Sequence, residues 1–473
     1  MRLFSIISIC LLGLITNIVY ASESENPNRI PNLEKQLDER SLINPSYIVG
    51  QYWFRQLNNS RGLIQFPPAY DYLKHTKGKK LPHTDLLHKH IEMGLLNSTQ
   101  SDAFVIPGNH LYLYSDILIM LDNEEKMLAL LAHELAHLDL KHYERQSQNN
   151  SQEQTKALLL VGAGIAAALA GADVDASSAI WFGGFANLSA NSLSYSRNQE
   201  QEADRLGRLY LAKAGVDDSA MSQLFNEFFK AASGRPTLEF LSTHPIAENR
   251  LTDAFSTDTR QSILQQNDQS DFEYFRATLL TYRATLLNTP KIFLTTELTT
   301  LELQHFALTL LALLNNDIDT ASGNVTLLDD DNEFAAYLKV KVLIANQQTA
   351  QAIKLIRQKL ALNPENITYL ALLSELTKNA QIKITQQELH QYEIDQLLLA
   401  RAKAAESAQN LPLSLAYNAE IQFSKGREKE ALAALNRAHL LANEHDKRII
   451  AKMQEKMNLV IERQKTIGID NLK

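Results

Sequence analysis

Thiols are almost absent from this 473-residue chain, whose one cysteine, Cys10, lies inside an N-terminal apolar run. With that run removed, neither a disulfide framework nor a thiolate metal site is available. Ile9, ahead of Cys10, is not the small residue a lipidation signal wants, so lipid attachment is excluded there. A basic excess is missing as well: 46 Lys and Arg face 54 Asp and Glu, a formal charge of −8. Such a balance gives no broad attraction for phosphate backbones, and no nucleic-acid partner is expected. Long apolar runs are scarce. The first, 3–20, follows Arg2 and ends with Val19 and Ala21 where a signal peptidase reads, so residues 1–21 are predicted to be a signal peptide cleaved after Ala21. The second, Ala157–Ala172, is rich in Gly and Ala and shorter than the ~20 residues of a typical span, which predicts a buried helix or a peripheral membrane contact. An exported chain without thiols suits a bacterial periplasm.

What is present divides the chain. Residues 22–44 are polar and read as a flexible leader, 45–265 as a first domain, and 271–465 as a second. In the first, 44–73 reads as two short amphipathic helices, and "HKHIEMGLL" and "DAFVIPGNHLYLY" are the best strands, with "PGN" as a turn within the second. A long helix starts near Asp122, another ends at Gly215, and "FLSTHPIAENRL" reads as a turn into a helix. In the second domain Ala, Leu, Gln and Lys dominate, which predicts a helical array. Ala352 with Pro364, and Ala419, Gly426, Ala431 and Ala438, fall at tetratricopeptide spacing, where small residues let paired helices cross closely.

The chemistry concentrates in "LLAHELAHLDLKH", 130–142. His133 and His137 are four apart, so a helix sets both imidazoles on one face, within reach of one ion, and Glu134 projects alongside. Each of these groups would cost roughly a few kcal/mol if buried without a partner. A divalent metal compensates them. A catalytic zinc needs a third protein ligand. His142 lies about 140° around the helix from His137 and is read as a surface residue or one standing behind the ligands. The better source is "NQEQEADRLG", where Glu200 and Asp204 share a helix face, one carboxylate free to reach the metal and the other the far nitrogen of a ligand imidazole. Glu202 points elsewhere on that helix. His83, His88 and His90 cluster near a candidate strand, where alternate residues merely share a face, and are not assigned an ion. His439 and His445 read as surface residues.

"HELAH", then "SRNQEQEAD", then "STHP" resembles the zinc metalloprotease family that includes HtpX and the CAAX prenyl proteases. The resemblance implies an α+β, zincin-like domain of gluzincin type, mostly helical with a small sheet, followed by an all-α tetratricopeptide-like array. It implies one zinc per chain on His133, His137 and Glu200, Glu134 as general base, and Asp204 behind a ligand. "DAFVIPGN" is similar to the family's edge-strand motif, so Ala103, Phe104, Val105 and Ile106 would bind an extended substrate as an added strand. His244 matches a family histidine near the metal, with two roles open: a latency ligand, or a stabiliser of the oxyanion. With a signal peptide in front and helix pairs behind, the resemblance implies a periplasmic endoprotease with chaperone activity beside it. Its clients would be unfolded outer-membrane β-barrel proteins, and the barrel-assembly machinery would dock on the helical array. The competing expectation is a chaperone or scaffold adaptor with a latent or structural zinc site.

Overall fold

The computed structural model describes most residues between 42 and 469, excepting chiefly 146–194, 233–238, 246–265 and most of 380–387. The expected signal peptide, the leader up to 40, the apolar run 157–172, and His83 and His88 lie outside the described residues. Two helices lead in, α1 (Pro45–Asn58) and α2 (Pro67–Lys80), each with proline in its first turn, where a missing N–H costs nothing. A three-stranded sheet follows: β1 (Glu92–Leu96), β2 (Ala103–Ile106) and β3 (His110–Tyr114), in the order β1-β3-β2. β1 runs parallel to β3 with Glu92 opposite His110; β2 is antiparallel, with Ala103 opposite Leu113 and Ile106 opposite His110. The β2–β3 turn needs left-handed backbone at Gly108 (φ 83°) and Asn109 (φ 61°); glycine takes it freely and asparagine tolerates it.

Beyond the sheet come α3 (Ser115–Ile119), α4 (Glu124–Asp139), α5 (Arg197–Lys213), α6 (Ser219–Ala232) and α7 (Glu239–Thr243). α7 lies ahead of the Thr243–His244 turn, and the hydrogen bond from His244 N–H to the Phe240 carbonyl (2.8 Å) places that histidine at a helix end; the helix expected after this turn falls on 246–250, outside the described residues. The remainder is helical: α8 (Gln266–Ala284), α9 (Pro290–Glu297), α10 (Leu301–Leu314), α11 (Ile318–Val325), α12 (Glu333–Ala345), α13 (Thr349–Leu362), α14 (Ile367–Thr377), α15 (Gln391–Ser407), α16 (Leu411–Ser424), α17 (Glu428–Leu441) and α18 (Glu444–Thr466). Each packs on the next. Ala352, Ala419, Ala431 and Ala438 are fully buried where these helices meet, and Gly426 (φ 70°) turns the chain between α16 and α17.

One core runs through the sheet half into the array. Phe66 and Tyr72 pack on Phe275, Phe306 and Phe334, and Leu128 and Leu130 of α4 belong to the same cluster. The far end of the array returns to the start of the fold: α18 touches α1, Ile469 joins Trp53 and Tyr112, and the buried Arg55 guanidinium lies 3.5 Å from Glu428 and over the Phe423 ring. The array therefore packs along the sheet half at both ends. Among the described residues no helix is long and apolar enough to cross a membrane.

Candidate metal centre

α4 is the platform. Asn123 caps it by accepting the Lys126 N–H (2.9 Å), and Glu124 and Glu125 in its first turn oppose the helix dipole. Every residue from Met127 to His137 is buried, so the three titratable groups of HELAH sit inside the protein. α5 crosses it. A capping box of Ser196 and Gln199 starts α5, and the helices approach closely because position 207 is glycine: a Cβ there would stand 3.3 Å from the Ala132 backbone. The Tyr210 hydroxyl donates to the Asp139 carboxylate further along the same pair of helices. This crossing carries Glu200 and Asp204 to the histidines.

The distances are those of ligands around one point. His133 Nε2 and His137 Nε2 are 3.1 Å apart, and Glu200 reaches them with Oε2 at 3.6 Å and Oε1 at 3.4 Å. His133, His137, Glu200 and His244 each offer a ligand atom within 4.8 Å of the others, and all four are buried. The far nitrogens are held from behind. Asp204 Oδ1 lies 3.0 Å from His133 Nδ1; a carboxylate only accepts, so the proton belongs on Nδ1 and the lone pair on Nε2.

His137 is set by a longer relay. Its Nδ1 lies 2.9 Å from Nδ1 of His142, whose Nε2 lies 3.1 Å from Glu202 Oε2. Burial drives His142 down to about 4 against the pull of Glu202, so at neutral pH it carries one proton. That proton faces Glu202, leaving His142 Nδ1 to accept from His137 and His137 Nε2 with its lone pair towards Glu200. Of the two positions expected for His142, at the surface or behind the ligands, the structure shows the second: it is fully buried behind a ligand, because the chain turns at Lys141 (φ 51°) and folds His142 back under α4. Glu202 does not point away either, since it pairs with both His142 and Arg145.

His244 arrives from the end of α7, stacked on Phe240 (4.3 Å between centroids, 14° between planes). The Thr243 hydroxyl lies 2.9 Å from His244 Nδ1 and within donating distance of Asp102 and of the Phe240 carbonyl. With the hydroxyl donating to those oxygens, His244 Nδ1–H donates to it in turn, and the Nε2 lone pair faces the cluster. Tyr195 covers His137 in a 3.8 Å ring stack. Sequence reasoning missed Tyr195, Phe240, Thr243 and Asp102; their signal is only adjacency to the motif residues.

Glu134 stands at the edge of this group, its Oε1 3.5 Å from His244 Nε2, and neither carboxylate oxygen has a hydrogen-bond partner among the described residues. Burial, then Asp102 and Glu200, push its carboxyl well above the usual carboxylate range. Three imidazole lone pairs and two buried carboxylates converging without a cation would be costly, and N/O donors at these spacings fit zinc. β2 packs against α4, and among the described residues it pairs with β3 alone. Ala103, Val105 and Ile106 are buried and Phe104 is partly exposed, stacked on Tyr112.

A buried HELAH helix whose histidines meet a carboxylate from the next described helix defines a metallopeptidase-type site. Residues 75–257 match the model of peptidase family M48. The chain is 28% identical to the beta-barrel assembly-enhancing protease of Escherichia coli K12 over 259 residues, 54% of this chain and 53% of that one. It is 27% identical to the protein of the same name from Yersinia pestis over 227 residues, 48% and 46% of the two chains. The mitochondrial metalloendopeptidase OMA1 of Schizosaccharomyces pombe is 30% identical over 162 residues, 34% of this chain and 44% of its own. The chain spans about half the length of these two bacterial relatives.

Proposed function

We propose that this chain is a periplasmic zinc endoprotease acting in outer-membrane protein assembly and quality control, built as a protease domain (45–265) and a tetratricopeptide-like array (271–465). The observation that carries the enzymatic part is the meeting of His133, His137 and Glu200 with Glu134 buried beside them. Zinc held there supplies Lewis acidity, which polarises a scissile carbonyl and acidifies water. Glu134 takes the proton from the attacking water and returns it to the leaving amine, a task suited to a carboxylate whose proton affinity is raised by burial. Asp204 and the His142–Glu202 pair hold the two imidazoles in the tautomer that binds metal. The side of β2 away from β3, which pairs with no strand among the described residues, would offer backbone groups to an extended chain, so cleavage would favour unfolded segments.

The client class rests on the names of the bacterial relatives and on the expected signal peptide. The helical array, a surface of stacked helix pairs, suits partly folded barrel proteins and the machinery that assembles them. Glu134→Gln should cut casein hydrolysis by roughly 10²–10⁴-fold with zinc content unchanged. Glu200→Gln should lose zinc, read by elemental analysis. A chaperone or scaffold with a latent site is favoured by one observation, the aim of His244 Nε2 into the ligand cluster. Full cellular function of the Glu134→Gln chain would decide for that reading.

A further inference from the structure

A second group of histidines and a carboxylate lies at the seam between the sheet half and the helical array. His90 and Glu92, two apart at the start of β1, face His390 at the head of α15. His90 Nε2 is 2.8 Å from Glu92 Oε1, and His390 Nδ1 is 3.5 Å from Glu92 Oε2. The imidazoles stack, with centroids 4.2 Å apart and planes at 27°. All three side chains are buried, and each offers a ligand atom within 4.8 Å of the others. The sequence reading that assigned no ion to His90 missed Glu92, two residues on, and His390, three hundred residues later.

We propose that His90, Glu92 and His390 bind a divalent cation of the zinc class, which staples β1 to α15. The donor set of two imidazoles and one carboxylate repeats that of the first site. Zinc at its usual 2.0–2.1 Å from nitrogen or oxygen sets tetrahedral ligand atoms about 3.3 Å apart; the 2.8 and 3.5 Å separations, one to each oxygen of the Glu92 carboxylate, lie on either side of that value. The set also has an outer carboxylate: Glu388 Oε2 lies 3.8 Å from His90 Nδ1, the far nitrogen when Nε2 faces the ion, as Asp204 lies behind His133. The site is preformed. Glu92 Oε2 is held by the Gln391 N–H (3.2 Å), and the His390 N–H donates to Glu393 (2.8 Å), itself paired with Lys74.

The test counts ions in the full chain. After equilibration with zinc and desalting, elemental analysis should find two zinc per wild-type chain and one in His390→Gln. His137→Ala, which breaks the first site, should also hold one, and zinc should still raise its melting temperature. Adding His390→Gln to His137→Ala should remove both that ion and that rise. Glu92→Gln, which keeps the side chain's shape, serves as a second variant. Glu388→Gln should weaken the second ion roughly 10–100-fold, as loss of a group behind a ligand does. One zinc in wild type that His390→Gln and Glu92→Gln leave unchanged, or none in His137→Ala, would overturn the proposal and leave the seam a hydrogen-bonded clasp.

Discussion

At the scale of single residues, the candidate centre is a problem of tautomers. An imidazole binds metal only with the nitrogen that lacks a proton, and here each ring is told which nitrogen that is by the group behind it: Asp204, His142 with Glu202, and Thr243. The HELAH face and the shared face of Glu200 and Asp204 were legible because helical spacing puts chemistry-bearing groups together, and only the family resemblance singled out Glu200 as the ligand. Thr243 and Tyr195 were not, since nothing in a threonine or tyrosine beside a motif marks it as a contact. His244 Nε2 faces the ligand cluster, so it is expected to restrain activity. His244→Ala should raise casein cleavage several-fold in initial-rate assays. A loss of a hundredfold or more would assign it to the oxyanion instead.

At the scale of elements, the α4–α5 crossing decides whether the third ligand arrives. Gly207 is its closest point, with Ala132 backbone on one side and the Met221 side chain on the other. Gly207→Val would force the helices apart and withdraw Glu200 from the imidazoles. Zinc content should fall below half of wild type, whereas Gly207→Ala, asking only a few tenths of an ångström from the Ala132 backbone but more from flexible Met221, should keep most of it. The strands were readable from β-branched and aromatic runs around "PGN", yet their order was not: sequence neighbours β1 and β2 are separated by β3. Pairing is settled by which edges meet in space, and β2 is left beside α4 for that reason.

Across the whole molecule, the two halves are joined by polar contacts as well as by core. Asp71 of α2 accepts from the Tyr392 hydroxyl of α15 (2.6 Å) and from Thr368 of α14 (3.5 Å). Burial raises its pKa from 3.8 to about 6, with the Tyr392 hydrogen bond pulling the other way and Glu393 adding to the rise. The folded state therefore holds the proton more tightly than the unfolded one. Its contribution is fully present below pH 3.8 and is lost as pH rises through about 6, about 3 kcal/mol for a shift of this size. Asp71→Asn, neutral at every pH, should melt several degrees above wild type at pH 8 and show no such gain at pH 4. Chelation is the companion measurement. If zinc fills the first site, EDTA should lower the melting temperature of wild type more than that of Glu200→Gln.

By itself the sequence determined the helices, their caps, the strand segments and the HELAH face, because periodicity and capping act over a few residues and leave their mark in order along the chain. Tertiary structure alone decided the rest: that His142 turns inward behind His137, that His244 reaches the same point from α7, and that His390 meets His90 and Glu92 across the seam. These are contacts between groups far apart in sequence, set by how faces pack, and no local pattern records which of several buried faces will meet.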